Sequence, residues 1–533
     1  MTTSVAADTS TQERVFAFLT DSVAHPHVDR IDTHAASVFL EGDRALKIKR
    51  AVRFPYLDYS TLEKRKAACD AEMTINRQFA PQIYRRVIPI TQNGDGSLSI
   101  DGDGTPVEYA IEMTRFDERQ TIDHLAESGE LDRAIVDDIA DAIAASHAVA
   151  PLAPVEPWIR STPAFIEGNC KAFRTAACFA ADDIDDLEAA SLSAFSCIRK
   201  LLEQRGRQGH VRRCHGDLHL ANIVMIERRP VLFDAIEFDP DIASVDVLYD
   251  LAFPMMDFLR YDRRTAANTL LNRYLKTASI ENLDGLAALP LFMSLRAAIR
   301  ANVLLARLDR NSGDKAAVIQ SAQAYFRLAQ QLIHPSAPVL VAVGGLSGTG
   351  KSILARALAP FVMPQPGAVV LRTDVLRKQH FQVVETDRLP ESAYQPEATA
   401  KIYELLVQRA LRILVQGRHS VIVDAVFARE SERVAIRDAA RSLNARFVGL
   451  FLQTDLATRL SRLGRRQGDA SDATPEIAGL QEKYDIGAID WTIIDASGTS
   501  EQTLKRCQAI FSSSQDDSDR LQNSNAASTE ISG

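Results

Sequence analysis

Two short runs of this chain, about 120 residues apart, carry residues of the kind that handle phosphate. His215 to Asn222 reads HGDLHLAN, and Gly345 to Ser352 reads GLSGTGKS. In the first, Asp217 and Asn222 stand five positions apart among turn-forming residues. Phosphoryl transfer needs a carboxylate to orient or deprotonate an acceptor hydroxyl, and oxygen ligands for Mg2+. An Asp and an Asn on one tight loop offer both. The second run fits G-x-x-x-x-G-K-[ST] at Gly345, Gly350, Lys351 and Ser352. Its glycines, Gly348 included, let the backbone of Ser347, Thr349 and their neighbours curl so that several N–H groups face one anion. A following helix adds the partial positive charge of its N-terminus. Lys351 reaches the β- and γ-phosphates of ATP as a catalytic charge, and the Ser352 hydroxyl binds Mg2+.

More such groups follow the second run. In RTDVLRK, Asp374 and Arg377 come just after a strand, where active-site groups of parallel sheets gather. Asp374 is either a proton acceptor for a substrate hydroxyl or a helix N-cap. Asp424 ends another strand, VIVDAVF, as either a water-mediated Mg2+ ligand or a turn carboxylate. Arg459, Arg462, Arg465 and Arg466 recur at spacings that align several on one helix face. They make either a lid over phosphates or a solvated basic face.

The elements that must position these groups divide the chain. At 533 residues it is too long for a single core. QLIHPSAPVLV, with Pro335 and Pro338, separates a helical run from an apolar strand and marks a boundary. Before it, the strand-like runs SVFLEG, RALKIKR, RRVIPI, LSI and VEYAIEMTRF precede long helical stretches at 121–150 and 286–333. That order predicts a two-lobed α+β domain over 11–335. After it, VLVAVGG, AVVLRT, SVIVDAVF and RFVGLFLQ alternate with helical segments. They predict an α/β P-loop domain with a parallel sheet over 338–512. Residues 1–10 and 513–533 read as polar, disordered tails.

Residues 338–512 resemble the P-loop kinase group of gluconate, shikimate and polynucleotide kinases and zeta-type toxins. That resemblance implies a base-like role for Asp374, substrate or phosphate contact for Arg377, and lid arginines at Arg462 and Arg465. HGDLHLAN resembles the aminoglycoside-phosphotransferase and choline-kinase-like branch of the protein-kinase fold, over about residues 30–330. By that resemblance Asp217 is the catalytic aspartate, Asn222 a metal ligand and His215 a scaffold residue. A second Mg2+ carboxylate is implied in PVLFDAIEFDP, at Asp234 with Glu237 left open, and Asp246 and Asp250 are structural. RALKIKR offers Lys47, or Lys49 on the same strand face, as the phosphate lysine. Glu72 is its partner, and Glu112 to Phe116 is the adenine hinge. No glycine-rich loop precedes Lys47; the stretch reads THAASVFLEGD. The domain order resembles bacterial bifunctional aminoglycoside phosphotransferase/ATP-binding proteins.

Composition narrows the partners. A net charge of −9 argues against broad nucleic-acid binding. No uninterrupted apolar run reaches membrane-spanning length, so no membrane partner is expected. Six cysteines without a CxxC pair, and no leader-like N-terminus, predict reduced thiols and a cytoplasmic location. The expected activity is ATP- and Mg2+-dependent phosphorylation of small-molecule hydroxyls, sugar- or aminoglycoside-like, at two nucleotide sites. The alternatives are a P-loop kinase regulated by a non-catalytic, nucleotide-sensing first domain, and a polynucleotide-end kinase.

Overall fold

The computed structural model describes all residues except 1–2, 24, 26, 34, 55–56, 307–314, 466–469 and 512–533, with the side chains of 3–8 also left out. The expected tail 513–533 and Arg466 therefore lie outside the described residues. Contacts divide the chain into two units. One holds Met1–Ala266, Lys276–Ala278 and Leu291–Ile333, and the other holds Ala267–Leu275, Ser279–Pro290 and His334–Gly533.

The first unit begins with alternation that its sheet uses on both faces. Six antiparallel strands run in the order Asp29–Asp32, Ala36–Glu41, Arg44–Lys49, Thr105–Thr114, Tyr84–Gln92 and Leu98–Ile100. In Arg44–Lys49, Leu46 and Ile48 point to one face, where they pack with Val15, Phe16 and Phe39. Ala45 points to the other, with Leu40, Ile111 and Met113. Period two then puts Lys47 and Lys49 on the Ala45 face. That face also receives the helix Leu62–Phe79, whose Cys69 joins the same cluster.

The helix Thr3–Leu19 covers the Leu46 face. It corrects the reading of residues 3–10 as a tail; residues 1–2 lie outside the described residues. The polar composition of 3–10 is the start of a helix anchored by the apolar run that follows. Helices then dominate, among them Arg133–Val149, Val155–Ala176, Ala181–Arg207 and Val247–Arg260. The two between 155 and 207 were not anticipated as elements. Short antiparallel pairs interrupt them: Val211–Arg213 with Ser244–Asp246, and Ile223–Ile226 with Arg229–Leu232.

The second unit is built on a five-stranded sheet, all parallel. Its order is Val369–Arg372, Val421–Asp424, Val339–Gly344, Arg446–Gln453, Thr492–Asp495. The last strand was not anticipated. Val341 and Val343 pack against Leu354, Ala355 and Leu358 of the helix Lys351–Leu358. The expected boundary near 335 is where the main body of this unit starts, but 267–275 and 279–290 also belong to it. Asn272 accepts the Val370 N–H at 2.8 Å and donates to the Ala368 carbonyl at 3.1 Å. Asp284 holds Arg412 through two bonds of 2.6 and 2.8 Å.

Among the described residues one helical stretch, Asn282–Leu305, is long and apolar enough to cross a membrane, with 61% of its most apolar window buried inside the protein. All six cysteines are free.

Candidate active sites

In the first unit the strand Val211–Arg213 delivers the chain to HGDLHLAN, and buried groups fix each turn of that loop. Gly216 has φ +83°, and a Cβ there would come within 3.0 Å of the Ala243 Cβ. Its N–H donates to Asp250 at 2.9 Å, and the Leu220 N–H donates to Asp257 at 3.1 Å. Both aspartates come from the helix Val247–Arg260, which Asp246 caps through the Leu248 N–H. Asp246 is also held by buried Arg205 at 2.7 and 2.8 Å. Asp250 lies 3.2 Å from His147. Burial would raise its pKa, but that hydrogen bond and the surrounding positive charge hold it low. His215 meets the Phe233 carbonyl through Nε2 at 2.9 Å, and burial pushes its pKa below the usual histidine value. Asp217 is left with a half-exposed carboxylate. Asn222 donates to its carbonyl at 2.9 Å and reaches its carboxylate at 3.4 Å.

Asp217 faces a cavity of about 290 Å3. Its apolar lining includes Leu40, Ala45, Met113, Phe116 and Phe233, and its polar lining includes Lys47, Asp217 and Asp234. The expected hinge segment supplies Met113 to Phe116 of this wall. Thr33 and Ala36, which also line the cavity, are held to each other. The Thr33 hydroxyl donates to the Ala36 carbonyl at 3.0 Å and accepts its N–H at 2.9 Å.

Lys47 meets Glu72 at 2.8 Å and also pairs with Asp234. Asp234 has φ +62°, a conformation Asp tolerates. Asn76 clamps the next residue, accepting the Ala235 N–H at 2.6 Å and donating to its carbonyl at 3.0 Å. Burial would raise the Asp234 pKa, yet the Lys47 ammonium outweighs it and holds the group at about 2. The sequence left Lys47 and Lys49 open, and Asp234 and Glu237. The structure brings in all four, with Lys47 on Asp234 and Lys49 on Glu237, the two pairs joined through Glu72.

In the second unit the register does the positioning. Asp424 lies directly beside Val343, two residues before Gly345, and beside Arg372. All three strands end at the same sheet edge, where the P-loop begins. Gly348 has φ +87°, and a Cβ there would lie 2.7 Å from the Arg459 carbonyl. Gly350, at φ +96°, opens the helix. Lys351 donates to the Leu346 carbonyl at 3.1 Å, which folds it over the loop. Thr349 donates to the same carbonyl at 2.8 Å. Ser352 donates to Asp424 at 2.6 Å, and Arg372 meets that carboxylate at 3.2 Å. Asp374, in the first turn of the helix Thr373–His380, has its pKa raised by burial and by the charge of Asp424.

The other expected residues are placed differently. Arg377 is buried against Tyr394 and donates to the Ala393 carbonyl at 2.5 Å and to Thr399 at 3.3 Å. Arg462, expected as a lid arginine, donates to the carbonyls of Thr349, Ala496 and Gly498 at 3.3, 2.8 and 2.9 Å. Arg459 likewise holds the Ser347 carbonyl at 2.8 Å. The arginine helix thus braces the back of the P-loop. Arg465 is exposed at that helix's end.

In the second unit, three contributors were not singled out in the sequence, as Asn76, His147, Arg205 and Asp257 were not in the first. Arg372 could have been found, because it ends a strand just before Asp374. Gln481 accepts the Ser347 N–H at 2.7 Å. Asp472 gathers Lys378, Tyr394 and the Leu389 N–H at 2.8, 2.6 and 2.9 Å. No local pattern marks either one. Both sites offer hard oxygen donors: Asn222 and Asp234 in one, Ser352 and Asp424 in the other. That chemistry suits a cation such as Mg2+.

Residues 52–289 match the phosphotransferase enzyme family, and residues 340–483 match the AAA domain. The chain joins a phosphotransferase-family domain to a P-loop domain. Phosphoryl transfer is the chemistry that the first of these matches names. Uncharacterized proteins of Mycobacterium tuberculosis and Mycobacterium bovis are 27% identical over 503 residues, covering 92% of this chain and 96% of theirs. A choline/ethanolamine kinase family protein from Mesorhizobium loti is 13% identical, with 61% of this chain and 98% of that one covered and a TM-score of 0.36. A gluconokinase from Sinorhizobium meliloti is 19% identical, with 32% and 88% covered and a TM-score of 0.23.

Proposed function

We propose that this chain is an ATP- and Mg2+-dependent small-molecule kinase with two nucleotide sites, each phosphorylating a hydroxyl. The observation that carries the reading is the Lys47 ammonium. It joins Glu72 to Asp234 at the wall of the cavity onto which Asp217 also opens. A non-catalytic sensing domain has no need of that whole set, so the set favours turnover over sensing.

In the phosphotransferase-family domain, Lys47 would hold phosphate oxygens and Asn222 and Asp234 would hold Mg2+. Asp217 would orient the acceptor hydroxyl and accept its proton. In the P-loop domain, Lys351 and the loop N–H groups would hold the phosphates. Ser352 and Asp424 would hold Mg2+, and Asp374 would be the base. Bound Mg2+ supplies charge neutralisation for the transferring phosphoryl group.

The test is a screen of small hydroxyl acceptors, cationic, neutral and anionic, with the full chain. It is run as wild type, Asp217→Ala and Lys351→Ala. Each variant should lose one set of phosphorylated products and keep the other. Identical product sets and rates in all three would sink the two-site reading.

A further inference from the structure

We propose that Lys49, Glu237 and Tyr59, which line the same cavity as Lys47, form a positioning relay that fixes Glu72 through its second oxygen and so sets how tightly the phosphotransferase-family cavity holds its nucleotide. The inference rests on the reading of that cavity as a nucleotide site.

Glu72 has no exposed surface, and its two oxygens face two different lysines. Oε1 meets Lys47 at 2.8 Å, and Oε2 pairs with Lys49. Lys49 pairs in turn with Glu237, whose Oε1 accepts the Tyr59 hydroxyl at 3.0 Å. The Tyr59 ring lies 5.3 Å from the Lys49 ammonium. Charges therefore alternate from Asp234 through Lys47, Glu72 and Lys49 to Glu237.

A single lysine would leave one oxygen of a fully buried carboxylate without a counter-charge, which is costly. Lys47 also stands between Glu72 and Asp234. An incoming phosphate must draw it from Asp234 while Glu72 keeps hold of it. Glu72 can do that only if its other oxygen is anchored, and Lys49 is the anchor. Lys49 is poorly placed to replace Lys47. Both lysines line the cavity and each lies between two carboxylates, but Lys49 is 4% exposed, does not pair with Asp234, and sits two residues, roughly 6–7 Å, farther along the strand. The two lysines of RALKIKR thus have separate tasks: one for the phosphate, the other for the carboxylate that orients the first.

The test uses the full chain carrying Lys351→Ala, so that nucleotide binding reports the phosphotransferase-family cavity. Binding of Mg2+ and AMP-PNP is measured by calorimetry, and ATP turnover separately. If this parent binds no nucleotide, the cavity reading itself fails, whatever Lys49 does. Given binding, Lys49→Met should weaken it roughly tenfold, within the range shown by coupled neighbours in a network. Turnover at saturating ATP should change much less, and Lys49→Arg should restore most of the affinity.

Unchanged affinity in Lys49→Met would overturn the proposal. So would a collapse of turnover at unchanged affinity, which would make Lys49 the phosphate lysine. If Lys49→Met fails to fold, Tyr59→Phe decides. It removes one hydroxyl from the relay and should weaken binding measurably, and parent-like affinity would overturn the relay.

Discussion

Ser352 donates its hydroxyl to Asp424 across 2.6 Å, joining the first turn of the P-loop helix to the end of the neighbouring strand. The same carboxylate receives Arg372, so one side chain links three consecutive sheet positions. Asp424→Ala should therefore do more than remove one oxygen ligand. It takes one acid from Arg372 and leaves Ser352 without its acceptor. We expect P-loop turnover to fall about 10²- to 10³-fold, the usual cost of losing a preorganised electrostatic group. ATP consumption in an Asp217→Ala background would measure it.

Asp374 gives the P-loop site a pH signature. Burial, with the charge of Asp424 behind it, holds its pKa above the ordinary carboxylate value. A base works unprotonated, so turnover should rise with pH through that raised pKa, above the usual value of about 4. The limb should vanish in Asp374→Asn, leaving only residual activity. A kcat/KM profile whose acid limb is unaltered by Asp374→Asn would remove Asp374 from the role.

Gly348 tests the brace behind the P-loop. Its φ of +87° and the Arg459 carbonyl 2.7 Å from a would-be Cβ both forbid a side chain. Gly348→Ala should cost about 1–3 kcal/mol of local strain and push the loop from the arginine helix. The expected outcome is a raised KM for ATP at the P-loop site. Gly464→Ala, where a Cβ meets nothing within 4 Å, is the control.

The buried pair Arg205–Asp246 supports the other site from a distance. Asp246 caps the helix that carries Asp250 and Asp257 beneath HGDLHLAN. Arg205→Ala leaves a buried carboxylate unpaired, which costs about 3–5 kcal/mol. Urea unfolding should show a lowered midpoint, and adding Asp246→Asn should recover part of the loss.

What could be read beforehand follows the range of the forces involved. The strand alternation around Lys47 and the glycines of GLSGTGKS are local. Each predicts its own element, and both elements stand where expected. The helix Thr3–Leu19 was hidden because polar residues at its start outvoted the few apolar ones that anchor it. The arginine helix was left open for a different reason. Spacing places Arg459 and Arg462 on one face, but only the fold decides whether that face meets phosphate or the back of a loop. Asp472 and Gln481 act through partners 78 to 134 positions away. No window of the sequence contains both ends of such contacts.

Asn272 presents to the outer strand Val369–Arg372 an acceptor and a donor where a further strand would have offered its own backbone. The residue comes from a segment that the phosphotransferase-family match includes. A recombination breakpoint at the proline-rich boundary would therefore sever the P-loop sheet from its edge cover. Protein engineers who want the P-loop half by itself should carry residues 267–290 with it, or replace them with something that satisfies Val370 and Ala368.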